Sequence, residues 1–380
     1  MVRKIGLVLL TGLMMFPQVV ETIYSPALTH IAHGFHVSSE KASQTLSFYF
    51  FAFAFGVVFW GRICDTVGRR PAIIGGLLLY GLASLLALFS WRFDVLLAAR
   101  MLAAFGAAVG SIGTQTIIRD SFKGNELAKV FSVMGIALAI SPGLGMLAGS
   151  VLTSINGYQG IFTGLAILAA ILTIWSIFKL PETHSGSIKI APLMQTAMIM
   201  LSDGAIWKTA FLIAFFNINL FSYYQLAPFH FEKLGLSPGM LGYSGLLLTL
   251  GVGIGSVMNR VMLNRGVSPS RIVLIATLLS LAGGILVYML LKNNYKLFIL
   301  PVLLNVMAYG LAIPNILASA LTKYTHCLGT AGALLGLMYY VLLGGGRVLA
   351  GLSQHLGFVL ICSSLSSLLL ITIVKLNSDS

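Results

Sequence analysis

Apolar runs of about twenty residues, each long enough to cross the ~30 Å hydrocarbon layer of a bilayer as a helix, follow one another along almost the whole chain. They cover residues 6–31, 42–62, 72–91, 94–117, 128–152 and 160–179, then 206–229, 240–262, 271–291, 297–320, 330–351 and 356–376. The runs leave no stretch polar enough to coat a soluble domain. Composition agrees, since only 9% of the 380 residues are charged, against about a quarter in an ordinary soluble protein. The fold expected is an all-α integral membrane bundle of twelve transmembrane helices. The opening Met1-Val2-Arg3-Lys4 and the apolar residues after it have the look of a signal peptide, but the run continues through Pro17 and Glu21 and is read as the first span.

The longest connection, residues 180–205, contains Pro181, Glu182, Ser185, Gly186, Ser187, Lys189 and Pro192. It divides the runs six and six, which gives one six-helix bundle over 1–179, a cytoplasmic linker over 180–205 and a second bundle over 206–380. A short internal echo supports two related halves. Gly61-Arg62-Ile63-Cys64-Asp65 ends span 2, and Gly255-Ser256-Val257-Met258-Asn259-Arg260 ends span 8.

The net charge is +13, yet the basic residues are scattered singly and form no face for nucleic acid. Topology accounts for them, because Lys and Arg are held on the cytoplasmic side of a membrane. With both termini cytoplasmic, 16 of the 23 fall on that side, from Arg3 and Lys4 to Lys375, and five (Lys41, Arg92, Lys233, Lys292 and Lys296) fall on the other. Arg100 and Arg347 stay inside spans. Cys64, Cys327 and Cys362 are far apart and form no CxxC pair. No HExxH, GxSxG elbow or GxxxxGK[ST] phosphate loop is present. The reading is therefore neither an enzyme nor an ATP-driven pump, with no cofactor. His30, His33 and His36 have an i, i+3, i+6 spacing but no acid or Cys beside them, and are read as a solvated helix end rather than a metal site.

Of the ten acids, Glu40, Asp65, Asp94, Asp120, Glu126, Glu182, Asp203, Glu232 and Asp379 fall in loops or at helix ends. Glu21 alone lies inside a span. A carboxyl there is costly and marks either a proton or cation site facing the bundle interior, or a permanent ion pair with arginine. Arg100 in span 4 lies at a matching depth and is the expected partner, with Arg347 in span 11, beside Gly344-Gly345-Gly346, a second buried cation.

Prolines mark where helices bend: Pro17, Pro26, Pro142, Pro228 and Pro314. In span 5, Gly135, Pro142, Gly145 and Gly149 form a small-residue face expected to seal against the opposite half. Polar and aromatic residues inside spans are candidate cavity lining: Gln18, Tyr24, Asn217, Asn219, Tyr223, Tyr224, Gln225, Asn305, Tyr309, Asn315, Tyr339 and Tyr340. Ordinary core packing is the alternative for each.

The loop after span 2 reads Gly61-Arg62-Ile63-Cys64-Asp65-Thr66-Val67-Gly68-Arg69-Arg70. It resembles, at every defined position, the G-x-x-x-D-x-x-G-R-R signature of the major facilitator superfamily. Glu21-Thr22-Ile23-Tyr24-Ser25-Pro26 in span 1, Arg100-Met101-Leu102 in span 4, Arg119-Asp120-Ser121-Phe122 and Ser141-Pro142-Gly143-Leu144-Gly145 resemble its Bcr/CflA drug–proton antiporters. The chain departs from their pattern at Ala103, where glutamine is usual, at Gly145-Met146, where Gly-Pro is usual, and at Glu21, one residue before the position of the usual acid.

This resemblance implies two pseudo-symmetric six-helix bundles, residence in a bacterial inner membrane as a monomer, and alternating access. It implies efflux of lipophilic or cationic drug-like compounds against protons, with Glu21 and Arg100 at the coupling site. Gly61, Asp65, Gly68, Arg69 and Arg70 would form a gating latch, and Gly135, Pro142, Gly145 and Gly149 an antiporter motif. The partners implied are a small-molecule substrate, protons and the lipid bilayer. A narrow metabolite or siderophore exporter or uptake symporter of the same fold is the second reading, and a membrane sensor or channel the third.

Overall fold

A computed structural model describes residues 6–184, 193–293 and 295–378. Arg3, Lys4, Ser185, Gly186, Ser187, Lys189, Pro192 and Asp379 lie outside the described residues, as does the Lys375 side chain. In chain order the helices are α1 (Leu7–Thr22), α2 (Leu28–Gly34), α3 (Ser39–Thr66), α4 (Arg69–Leu88), α5 (Phe93–Ser121), α6 (Gly124–Lys179), α7 (Leu193–Ser202), α8 (Gly204–Lys233), α9 (Pro238–Asn264), α10 (Pro269–Lys292), α11 (Ile299–Ala320), α12 (Leu328–Ser353) and α13 (Leu356–Ser378).

Helix starts follow local chemistry. Ser38, Asp203 and Ser237 accept hydrogen bonds from the backbone N–H of Lys41, Ala205 and Met240 and so cap α3, α8 and α9. Pro238 and Pro269 open α9 and α10, where a missing N–H costs nothing. One of the expected spans is broken. The first becomes α1, a 3-10 turn at Ser25–Ala27 and α2. Pro26 explains the break: its ring would collide with the carbonyl four residues back, at Thr22, and α1 ends there. In α6, Asn156 and Gly157 leave helical geometry, Gly157 with φ 53°, so its 56 residues make two crossings. Counted this way the described chain makes twelve crossings, and the protein is a multi-pass integral membrane protein.

Because the crossings alternate in direction, the connections sort to two ends. Residues 67–68, 122–123, 180–184 with 193–203, 265–268 and 321–327 lie at one, termed the latch end. Residues 35–38, 156–157, 234–237 and 354–355 lie at the other, termed the far end. The first half packs α3, α4 and α5 together with α1 and α6; the second packs α8 with α12 and α13, and α10 with α11 and α13. Two seams join the halves, α3 against α12 and α6 against α9.

The linker region holds a helix that the sequence reading did not anticipate. Helix α7 is a ten-residue apolar stretch, too short to span. It lies against α8 and α12 with Thr196 and Met200 buried.

The small-residue face of α6 is a correction. Gly145 and Gly149 meet α1 of their own half, closely enough that a Cβ on either would collide with Thr22 or with the backbone of Ile23. A Cβ on Gly135 would meet no neighbouring helix within 4 Å, and Pro142 is half-buried. The face toward the second half carries Gly143, Met146 and Ser150, and the Ser150 hydroxyl donates to the Pro238 carbonyl at 2.6 Å. Residues 145 and 149 share one helical stripe, whereas 143, 146 and 150 share another, at ~100° per residue.

Candidate functional site

The break in the first span sets the site. Glu21 sits in the last turn of α1, 6% exposed, with Tyr24 and Ser25 just past the break. The Ser25 hydroxyl donates to the Tyr224 carbonyl of the second half. Glu21 Oε1 lies 3.2 Å from Arg347 Nη1, an ion pair that joins the two halves with both side chains buried. Arg347 Nε donates to Gln225 Oε1 at 2.9 Å. The Gln225 amide in turn donates to Ser47 Oγ and the Ser43 carbonyl on α3 and to the Arg347 carbonyl. The guanidinium rests over Phe50 and Phe221, 4.8 and 5.7 Å from their ring centres. Leaving one charge of such a buried pair uncompensated costs about 3–5 kcal/mol.

Arg100 is not the direct partner of Glu21, contrary to the expectation. Pairing depends on azimuth as well as on depth along a span, and Arg347 on α12 faces Glu21 across the seam. Arg100 lies close enough to act on Glu21 through its charge, while its guanidinium is held between aromatic rings. It sits 3.9 Å from the Tyr24 ring centre and 4.7 Å from that of Tyr49. Its Nε, Nη1 and Nη2 have no hydrogen-bond partner, and neither do the hydroxyls of Tyr24, Tyr49 and Tyr80. Thr45 and Arg100 come near the Tyr24 and Tyr80 hydroxyls without reaching hydrogen-bond geometry. Cation–π contacts return about 0.5–2 kcal/mol each, less than the ~1–3 kcal/mol that each unsatisfied buried polar group costs.

The cavity candidates divide. Asn217, Tyr224 and Gln225 are buried and Gln18, Tyr309 and Tyr339 half-buried; Tyr309 donates to Asn217 at 3.4 Å and the Tyr339 and Tyr340 rings meet at 4.2 Å. Tyr223, Asn219, Asn305 and Asn315 instead fasten helices within the second half. Tyr223 bonds Ser244, Asn219 bonds Ser363 and Ser364, Asn305 bonds Ser280 and Asn315 bonds Asn259. In a membrane such side chains link helices as readily as they line a path.

The loop between α3 and α4 is tied by Asp65, Asp120 and a further acid, Glu182. Gly68 takes φ +124°, a conformation that favours glycine. Arg69 is buried and pairs with Asp120 at 2.9 Å and Asp65 at 3.6 Å, and donates to the Cys64 carbonyl. Gly61 lies at the end of α3, within reach of Ile112. Glu182, read only as a linker acid, caps α4 by accepting from the backbone N–H of Arg69 and Arg70 at 3.0 and 3.1 Å. Partial burial raises the Glu182 pKa, but the N–H donors of His184, Arg69, Arg70 and Thr183 outweigh it and hold the carboxyl below its ordinary value. Arg70 reaches the Ile177 carbonyl and His184 contacts Arg69. At the far end His33 pairs with Glu232 at 2.8 Å across the halves, both exposed. No group of three metal-ligating side chains occurs among the described residues.

Twelve crossings in two halves, a buried ion pair between the halves and a G-x-x-x-D-x-x-G-R-R loop agree with a direct match of residues 10–369 to the Major Facilitator Superfamily. The chain belongs to that superfamily. Its relatives include an uncharacterized transporter of Rickettsia bellii, 28% identical over 356 residues that cover 90% of this chain and 88% of that protein. Multidrug resistance protein D of Escherichia coli K12 is 29% identical over 183 residues, 48% of this chain and 46% of that protein. The drug-transporter relatives agree with the Bcr/CflA resemblance. A solved POT family transporter, in complex with a thioalcohol-conjugated peptide, superposes with a TM-score of 0.78 at 13% identity over 98% of this chain and 96% of that one. That likeness establishes the major facilitator fold. Members of the superfamily are transporters rather than enzymes.

Sequence reasoning missed Glu182, Tyr49, Tyr80 and the clamp of Ser43 and Ser47 on Gln225. Glu182 carried a signal, an acid directly after Pro181 at the end of span 6, close to the double arginine in topology. The two tyrosines carried none.

Proposed function

We propose that the chain is a proton-coupled secondary active transporter that exports lipophilic drug-like compounds by alternating access in exchange for protons. The observation that supports this most directly is the buried Glu21–Arg347 pair between the halves. Protonating Glu21 cancels one charge of the pair and loosens the far end. Re-forming the pair when the halves close there favours release of the proton toward the latch end. The name of the similar Escherichia coli protein supports drug export, and the basic-residue asymmetry supports an inner-membrane topology with the far end outward. The second reading, a proton symporter of the same fold, is favoured by one observation: the middle of the bundle holds two buried guanidiniums, Arg100 and Arg347, and one carboxylate. That excess also speaks against a fixed cation as the preferred substrate.

The test is reconstitution with an imposed pH gradient, comparing native protein and Glu21→Gln on cationic, neutral and acidic lipophilic compounds. Gradient-driven accumulation should disappear in the variant. Accumulation at the native rate refutes Glu21 as the coupling carboxyl.

A further inference from the structure

We propose that Arg100, together with the hydroxyls of Tyr24, Tyr49 and Tyr80, binds the carboxylate of an amphipathic organic anion, and that this anion is a transported substrate. The three guanidinium nitrogens and three phenol oxygens are all buried without a hydrogen-bond partner. All six groups can donate, and an ionised carboxylate is a pure acceptor with about four lone-pair sites. Charge leads to the same class. Among the described residues the buried charged ones are Glu21, Arg69, Arg100 and Arg347, and Arg69 is matched at the latch by Asp65 and Asp120. What remains is two cations and one anion.

Glu21 cannot make up the difference. If it left Arg347 for Arg100, Arg347 would become the unmatched cation, and Arg347 Nη2 already has no partner. A second anion balances both arrangements. The Tyr24 and Tyr49 rings hold the guanidinium, and Phe162, Phe50 and Phe53 pack beside them, an aromatic surround on which the body of an amphipathic acid would pack with its charged head on the guanidinium.

This inference rests on the transport reading of the same site but not on its direction. An anion held beside Glu21 repels the charge on Glu21, so proton and anion favour one another's binding. Such a substrate would move with the proton, as in the symport reading.

The test measures binding of benzoate, benzyl alcohol and benzylamine, which share a ring and differ in head charge, to the purified full-length protein without any pH gradient. Benzoate should raise the melting temperature and bind more tightly than the other two. Arg100→Gln should weaken benzoate about tenfold or more, the loss of one charge-assisted contact, and Arg100→Lys should restore part of it. Tyr49→Phe keeps the ring and the fold, and should weaken benzoate severalfold. Equal binding of the three probes, or native benzoate affinity in both Arg100→Gln and Tyr49→Phe, overturns the proposal. Because no gradient is applied, that failure is separate from a failure of proton coupling at Glu21.

Discussion

The two ends of the bundle use the same residue types in different ways. Toward the far end, polar contacts cross between the halves: Glu21 to Arg347, Gln225 to Ser43 and Ser47, Gln354 to Ser43, and Ser150 to Pro238. At the latch end, Asp65, Asp120 and Glu182 direct their charge into the first half and the start of the linker. One set of bonds holds the halves together, and the other stiffens a single half. This teaches that the latch loop, in this arrangement, acts as a local brace, and that the conformation is held from the middle and the far end.

The sharpest way to break this comparison is Arg347→Gln. It leaves Glu21 with no partner in the second half, so a coupling worth about 3–5 kcal/mol is lost, a shift of roughly a hundredfold to a few thousandfold in the balance between closed and open far ends. The reporter is a short bifunctional maleimide joining Ser43→Cys to Gln354→Cys, with Cys64, Cys327 and Cys362 replaced. Cross-linking should fall severalfold and gradient-driven transport should be lost. An unchanged yield would mean that the seam packing of α3 and α12 closes the far end without the ion pair.

The gross fold was legible because hydrocarbon thickness imposes one length on every span, and the apolar runs met it. The break at Thr22 was legible too, through Pro26. What the sequence left open was rotation about each helix axis. Glu21, Arg100 and Arg347 were all seen as buried, but the partner of Glu21 depends on which face of α12 crosses the seam. The same ambiguity put Gly145 and Gly149 against the wrong half, and placed Tyr223 and Asn305 in a cavity when they fasten helices. Glu182 was missed for another reason: its place after Pro181 was visible, but its role is to cap a helix 112 residues earlier in the chain, which only the topology could suggest.

A smaller effect is expected at the brace. Glu182→Gln removes the charge that caps α4 and should cost about 0.5–2 kcal/mol, the range for loss of a helix cap, without changing the cross-linking yield at the far end. The sign with pH follows from the depressed pKa. The stabilisation is complete above the ordinary carboxylate value of 4.5 and fades as pH falls through the lower value in the folded protein. Melting temperatures of native protein and variant should differ at pH 7 and converge below pH 4.5. A difference that persists at low pH would assign the effect to the shape of the loop instead of the charge.

The smallest effect is expected where a contact crosses the halves but lies in water. His33 and Glu232 are 2.8 Å apart, with side chains 74% and 49% exposed. An exposed pair contributes about 0–1 kcal/mol and is screened by salt. His33→Gln should therefore leave the Ser43–Gln354 cross-link within about twofold of native, with any residual effect vanishing at high salt. Distance alone would rank this pair above Glu21–Arg347, which is longer at 3.2 Å. If His33→Gln opened the far end as far as Arg347→Gln, crossing the seam would count for more than burial, and the buried pair would lose its claim as the place where proton and conformation meet.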